Sequence, residues 1–349
     1  LLYADHYLTG KMTTDDDFDS LSASDLHQTA TEADGRLERE ERFSEALSGL
    51  EEQLADLPSF TEVDRYLLSN NDIPAEALAK LDTGKAPRSS YLSSDASKIQ
   101  VFVLFGLDGV DSSDSVMLVA LDRVHQKIKL ISLARDSYVF IPEYGFFSKL
   151  AYSYTWGGAA MAVKNLNYNY YLNVSDYIAV DFDQLAEIID RIGGVTVNID
   201  EDEARYLSNY PNVHVGDCLL DGETAVSYAR IRKSSATDSD RKRTGRQREV
   251  ILSILNTLQT MPLSQYPGFV RDCLGMCATS FEAETLLTMA AETLGQNYTV
   301  EQYFFPEGQV DWWAGLIKEY FYYVYDLRRA SDRIYRIIYE ELYISGYDD

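Results

Sequence analysis

Cysteine is scarce in this chain of 349 residues. Cys218, Cys273 and Cys277 are too few for a disulfide framework, and no second Cys or His group stands at zinc-ligand spacing, which argues against a structural metal. One bridge stays open, either between Cys273 and Cys277 or from Cys218 to one of them, so the thiols do not fix the redox compartment. No apolar run reaches the length that a bilayer span requires, and there are no internal repeats. A positive balance is missing too: 31 Lys and Arg stand against 56 Asp and Glu, a net charge of -25. Duplex binding depends on Lys and Arg neutralising phosphates over a whole face, so a nucleic-acid partner is excluded. Any anionic ligand has to be captured locally.

What is present suffices for a large core, with 46% hydrophobic and 25% charged residues. The chain opens on Leu1-Leu2-Tyr3 instead of Met, which reads as a piece of a longer protein. The upstream part would hold a signal or a single membrane anchor, with the polar start around Thr13 to Asp17 as a juxtamembrane stalk. Residues 36–57 carry Leu37, Phe43, Leu47, Leu50, Leu54 and Leu57 at mostly three- and four-residue steps, the pattern of an amphipathic helix. Turn formers at Asp82 to Ser90 end that accessory region.

From Ile99 the character changes. Gln100 to Phe105, Val116 to Ala120 and Ile128 to Ser132 are short apolar runs bounded by Gly, Asp or Ser, and they predict strands. Helical stretches are expected at about 157–170 and 183–192, with strand-like Tyr177 to Val180 between them and Val195 to Ile199 after Gly193-Gly194. Such alternation predicts an α/β fold, a central mixed β-sheet flanked by helices on both faces. Beyond Pro262 the pattern is less regular. Tyr303-Phe304-Phe305 is expected to add an edge strand, and the aromatic stretch from Trp312 to Tyr343 to be helical. The organisation is then 1–95 for stalk and accessory helix, 96–262 for the core, and 263–349 for an extension on it.

The chemistry gathers where strands end. Tyr228-Ala229-Arg230-Ile231-Arg232 with Asp240, Arg243, Arg246 and Gln247 concentrates cationic forks in an otherwise acidic chain. Arginine's planar fork matches phosphate oxygens two at a time, so the segment suits a pyrophosphate; a solvated basic helix face is the competing reading. Asp108 follows the first strand and Asp114 opens the second. Two carboxylates brought together there, with phosphate oxygens, suit Mg²⁺, although Asp beside Gly or Ser more often caps a turn. Arg135 after the third strand and Lys149 after Gly145 to Ser148 stand at similar element ends.

These segments, in this order, resemble the LytR-CpsA-Psr family of cell-wall glycopolymer transferases. The resemblance runs from Phe105-Gly106-Leu107-Asp108 through Ser113-Asp114-Ser115, Ile131 to Ser137, Lys149-Leu150-Ala151-Tyr152 with Gly157-Gly158, Asp190 to Val195 and Leu220 to Ala225. It closes on Tyr228 to Arg232 and Asp240 to Gln247. It implies an extracytoplasmic, membrane-anchored enzyme of mostly Gram-positive bacteria. Such an enzyme attaches a glycopolymer (teichoic acid, capsule or secondary wall polysaccharide) from a polyprenyl-pyrophosphate carrier to a muramic acid hydroxyl of peptidoglycan. In those terms Asp108 and Asp114 hold Mg²⁺, or Mn²⁺, against the pyrophosphate. Arg135, Arg230, Arg232 and Arg243 act on its oxygens as catalytic groups, Lys149, Arg246 and Gln247 bind substrate, and Asp240 orients an arginine or accepts the acceptor's proton.

The carrier's lipid requires an apolar cavity, with Met161, Leu166, Leu185, Ile188, Ile189, Ile251 and Leu255 as candidate walls against the simpler reading that each is core. Several positions depart from the family pattern: Ser112 stands where an Arg is usual, Ala134 where a Pro is, and Ala151 where a polar residue is, and the loop from Asp108 to Asp114 is short. Two alternatives stay open, a polyprenyl-pyrophosphate hydrolase and a non-catalytic lipid-phosphate-binding regulator of envelope assembly. The 26 tyrosines, with Tyr320 to Tyr325 in the tail, suggest an aromatic surface for sugar rings.

Overall fold

The apolar runs bounded by turn formers fold as the strands they predict. The structure is a computed structural model that describes residues 57–84, 94–109, 112–232, 236–293, 296, 298–306 and 310–339. The expected helix at 36–57 and the stalk lie outside the described residues, apart from Leu57. In chain order the elements begin with α1 (Phe60–Val63), α2 (Ala75–Leu78), β1 (Ile99–Leu107), β2 (Ser113–Asp122), β3 (Lys127–Leu133), β4 (Tyr138–Ile141), β5 (Phe146–Lys149) and α3 (Leu150–Tyr170). Next come β6 (Asp176–Asp181), α4 (Phe182–Arg191), β7 (Val195–Ile199), α5 (Glu201–Tyr206), β8 (Gly216–Leu220), α6 (Gly222–Ala229) and α7 (Ala236–Thr260). The last are α8 (Tyr266–Met276), β9 (Ala278–Thr279), α9 (Ala283–Thr293), β10 (Thr299–Phe305), β11 (Trp312–Ile317), β12 (Tyr320–Tyr325) and α10 (Leu327–Tyr339).

The described residues form two compact units, one holding residues 57–177 together with those from 299 on, the other residues 178–298. In the first, β1, β2 and β3 form an antiparallel meander, and β10 adds parallel to the outer edge of β3, from Thr299 opposite Lys127 to Phe305 opposite Leu133. The sheet is therefore mixed, and the expected edge strand at Tyr303 to Phe305 is there. Helix α3 packs on β2 and α10 on β3, which gives the α/β layering that the sequence implies.

Helix α3 starts earlier than its periodicity suggests, at Leu150. Gly157 and Gly158 form a non-helical kink inside it, and Gly158 sits at φ 60, where only glycine is unstrained. A Cβ on Gly157 would come within 2.6 Å of Met161 Cβ, so the chain closes tightly there.

The stretch from Trp312 overturns a helical expectation. Its first part is the antiparallel hairpin β11–β12, in which Trp313 faces Val324 and Ile317 faces Tyr320, and among the described residues of the stretch only Leu327–Tyr339 is helical. Tyrosine, phenylalanine and valine in succession favour a pleated, half-buried surface, and Lys318 at φ 54 makes the turn.

Beneath this sheet lies a buried ionic group. Asp122 accepts hydrogen bonds from the Val124 and His125 amides at 3.1 and 3.0 Å, meets His125 Nδ1 at 2.9 Å and Lys129 Nζ at 3.4 Å. Lys129 also donates to the Ile338 carbonyl at 3.1 Å, tying α10 down.

The second unit is built on the hairpin β7–β8, with α4, α6 and α7 enclosing Ile189, Val197, Leu220, Tyr228, Ile231 and Val250. Asp181, Asp200 and Asp221 each cap a helix start through their side chains. Gly222 is where α4 and α6 touch: a Cβ there would lie 2.1 Å from the Ala186 carbonyl oxygen. All three cysteines are free thiols, and burial pushes Cys273 up to about 12 and Cys277 up to about 11.

Candidate active site

The segment after β3 is held by backbone on every side. The Ala134 amide donates to the Phe305 carbonyl at 2.8 Å, the Ala151 amide to the Arg135 carbonyl at 3.0 Å, the Tyr323 amide to the Asp136 carbonyl at 3.0 Å, and the Leu150 amide to the Ser137 carbonyl at 2.9 Å. Proline at 134 would delete the first of these, so Ala134 extends the pairing with β10 and accounts for one departure from the family pattern. From below, buried Tyr170 and Tyr325 join hydroxyls at 2.5 Å, and Tyr325 reaches Ser137 Oγ at 2.9 Å. Burial pushes the Tyr325 phenol up to about 12, so this relay stays protonated at neutral pH.

On that rigid loop Arg135 pairs with Asp114 and Lys149 Nζ donates to Asp136 Oδ1 at 2.6 Å, with Arg135 Nε 3.7 Å from Asp136. Three of the charges picked out by sequence position or by motif, Asp114, Arg135 and Lys149, thus form one alternating chain in which Asp136 joins the last two. Asp136 stands in the Ile131 to Ser137 motif but has no role assigned from sequence.

Asp108 and Asp114 flank one end of the β1–β2 hairpin, where Leu107 pairs with Ser113 across a register shift. The Asp108 amide donates to the Ser112 carbonyl at 3.1 Å and Asp108 Oδ1 accepts the Ser112 amide at 3.3 Å, so Asp108 does cap its turn. Among the described residues no three His, Cys, Asp or Glu side chains cluster as a metal site. Two carboxylates at one hairpin end fit a hard cation that takes its remaining oxygens from phosphate and water.

The arginine-rich set belongs to the other unit. Arg230 ends α6, exposed, with its guanidinium 4.4 Å from the centre of the Phe182 ring. Arg232 is exposed, and Asp240 lies in α7. Arg243 is almost fully buried at 2% exposure. Arg246, expected to touch substrate, turns inward: its Nε donates to Glu203 Oε1 at 2.6 Å and its Nη1 to the Ile231 carbonyl at 3.2 Å. It therefore braces the backbone between Arg230 and Arg232. Gln247 Oε1 is buried with no protein donor. Glu203 was invisible as a site residue because its only sequence signal is the α5 capping box, where its other oxygen accepts the Asp200 amide at 2.9 Å.

Of the seven candidate lipid contacts, Met161, Leu166 and Ile189 are fully enclosed as core, while Leu185, Ile188, Ile251 and Leu255 are half-buried.

The LytR_cpsA_psr family model matches residues 71–334, well over half of the chain. The chain belongs to that family. Among LytR_cpsA_psr relatives, the polyisoprenyl-teichoic acid–peptidoglycan teichoic acid transferase TagU of Enterococcus faecalis is 30% identical over 166 residues, 46% of this chain and 54% of the relative. The regulatory protein MsrR of Staphylococcus aureus is 31% identical over 184 residues, 50% of this chain and 54% of the relative. The chain thus spans about half the length of these two. A solved LytR-CPS2A-psr structure, YwtF (TagT) with bound octaprenyl pyrophosphate lipid, superposes with a TM-score of 0.53 at 18% identity, covering 74% of this chain and 99% of that one. The likeness establishes the LytR_cpsA_psr fold. Among the described residues no helix is long and apolar enough to cross a membrane.

Proposed function

We propose that this protein transfers a glycopolymer phosphate from a polyprenyl-pyrophosphate carrier to a peptidoglycan hydroxyl at the extracytoplasmic face of the membrane. The observation that carries the reading is the alternating chain of Asp114, Arg135, Asp136 and Lys149, gathered around a loop fixed by four backbone bonds. Family membership, a relative named as a teichoic acid transferase, and a solved protein of this fold holding a prenyl pyrophosphate support it.

In this reaction the acceptor oxygen bonds to the phosphorus that carries the glycan. The bond from that phosphorus to the bridging oxygen breaks, and prenyl monophosphate leaves. Phosphoryl transfer asks little covalent work of the protein, so fixed positive charge supplies most of the acceleration. Arg135 is held for that purpose by Asp114 and Asp136, and Lys149 by Asp136. In the other unit, Arg230, stacked on Phe182, and Arg232 are proposed as phosphate-binding groups, with Arg243 and Gln247 assigned to the same role and Arg246 bracing the turn. Asp240 is assigned the acceptor's proton. Asp108 and Asp114 would hold Mg²⁺, which supplies charge neutralisation on the pyrophosphate. The half-buried Leu185, Ile188, Ile251 and Leu255 are proposed as lipid contacts.

The test is turnover of a lipid-linked glycan pyrophosphate with and without Mg²⁺ and with and without peptidoglycan. Product joined to peptidoglycan only when both are present is the expected result. Release of glycan phosphate and prenyl monophosphate in the absence of peptidoglycan would mean a hydrolase. Binding without turnover would favour a regulator, a reading that Ser112 in place of the usual Arg and the likeness to a protein named as regulatory support.

A further inference from the structure

Beside the loop that carries Arg135 and the end of β5 that carries Lys149, the first unit gathers aromatic rings that the phosphate chemistry does not use. Tyr66 lies against Tyr152 at 4.7 Å between ring centres and against Trp156 at 5.5 Å. Tyr152 and Trp156, one turn apart on α3, are 5.4 Å from each other, and the Gly157–Gly158 kink follows at once. Lys149 Nζ sits 5.9, 5.7 and 5.3 Å from the ring centres of Tyr152, Tyr320 and Tyr322, so the C-terminal hairpin brings its tyrosines to the same place. Arg65 lies over Tyr66 at 4.7 Å and donates to its hydroxyl at 2.8 Å.

Trp156 and Tyr322 are buried and form the floor, but the other rings are accessible: Tyr66 and Tyr152 are half-buried, Tyr320 is 37% exposed, and Phe60, at the far end of the cluster, is 50% exposed. Flat rings with polar rims suit a ligand with an apolar face and polar edges. A pyranose has both, an axial C–H face and equatorial hydroxyls. The Tyr152 phenol is pushed up to about 12, by burial first and then by Tyr66, Tyr320 and Asp136, so its hydroxyl keeps its proton for a sugar oxygen.

Charge selects among glycans. Glu62, held below the ordinary carboxylate range by hydrogen bonds from Ser59, and Glu319, beside Tyr320, carry negative charge at the rim, while Asp72 is offset by Lys318 at 3.1 Å. The two glutamates make this rim less favourable to a phosphate-rich polymer than to a neutral one. We infer that the Tyr66, Tyr152 and Tyr320 surface is the platform for the uncharged sugar rings of the acceptor glycan strand, delivering its hydroxyl towards Arg135. The choice of acceptor rests on the transfer reading above; the affinity for N-acetylated sugar rings does not.

Calorimetric titration tests it with three probes: chitotetraose as a neutral N-acetylated glycan, poly(glycerol phosphate) as a polyanion, and farnesyl pyrophosphate for the phosphate site. The expected result is that the wild type binds chitotetraose, that Tyr320→Ala and Tyr66→Ala each weaken this tenfold or more, and that Tyr320→Trp restores it. Farnesyl pyrophosphate affinity should be unchanged in all of them. Tyr320 is exposed enough that its truncation leaves the fold intact, and an unchanged melting temperature verifies this. No chitotetraose binding by the wild type, equal binding by the variants, or preference for poly(glycerol phosphate) overturns the inference. Tyrosine-dependent glycan binding without any farnesyl pyrophosphate binding upholds the platform and removes the transfer reading instead.

Discussion

Arg135 shows how much a single residue's role depends on what holds it. Its carbonyl accepts from α3, its side chain meets Asp114 and Asp136, and its neighbours are tied to β10 and β12. Arg135→Ala should therefore lower turnover by roughly a hundredfold or more, the scale of removing one preorganised donor, and, because Asp114 at 8% exposure loses this ion pair, lower the melting temperature as well. Arg246→Ala should act mainly through stability. It leaves Glu203, 7% exposed, without its cation, at a cost of about 3–5 kcal/mol measurable by urea denaturation. Asp122 sets a pH response. Burial acts against its ionisation, but the His125 side chain and amide and Lys129 outweigh that and hold its pKa below the ordinary value. Its contribution is complete above the unfolded-chain value of about 3.9 and disappears as pH falls through the lower folded value. Urea midpoints should fall steeply below pH 4, and Asp122→Asn should flatten that dependence.

Among the elements, those with a clear period were legible from sequence. Helix α4 and strands β1, β2, β3, β6 and β7 lie within a few residues of where apolar spacing puts them, because burial on one or both faces dictates that spacing. The failures also have physical causes. Gly157-Gly158 reads as a helix start, yet the helix continues through it as a kink. The tyrosine-rich stretch shows no alternation because Tyr322 to Tyr325 are buried in succession, so both faces of that strand are covered. For the site, the order of the motifs was readable, but the ties between them were not: Asp136 with Lys149, Glu203 with Arg246 and Phe182 under Arg230 are contacts of tertiary structure. Gly222 was legible only as part of a motif. Its closeness to the Ala186 carbonyl makes Gly222→Ala an overpacking change that should push α4 from α6 and cost about 1–3 kcal/mol, read as a lower melting temperature.

At the scale of the whole molecule, the net charge of -25 works against a diphosphate ligand before it arrives. The Debye length shrinks from about 30 Å at 0.01 M salt to about 8 Å at 0.15 M, which screens the distant repulsion and spares contacts in the site. The association rate for farnesyl pyrophosphate in stopped flow should thus rise with salt over this range, opposite to the behaviour of a basic phosphate-binding protein.

The parallel pairing of β10 with β3 has a consequence for biosynthesis. Phe305 meets Leu133 across about 170 residues of chain. At roughly 5–20 residues per second, the ribosome needs on the order of 10 to 35 s to supply the missing partner. Throughout that interval the nascent polypeptide presents a bare row of amides and carbonyls along Lys127 to Leu133, and it depends on chaperones to keep that row from templating other chains.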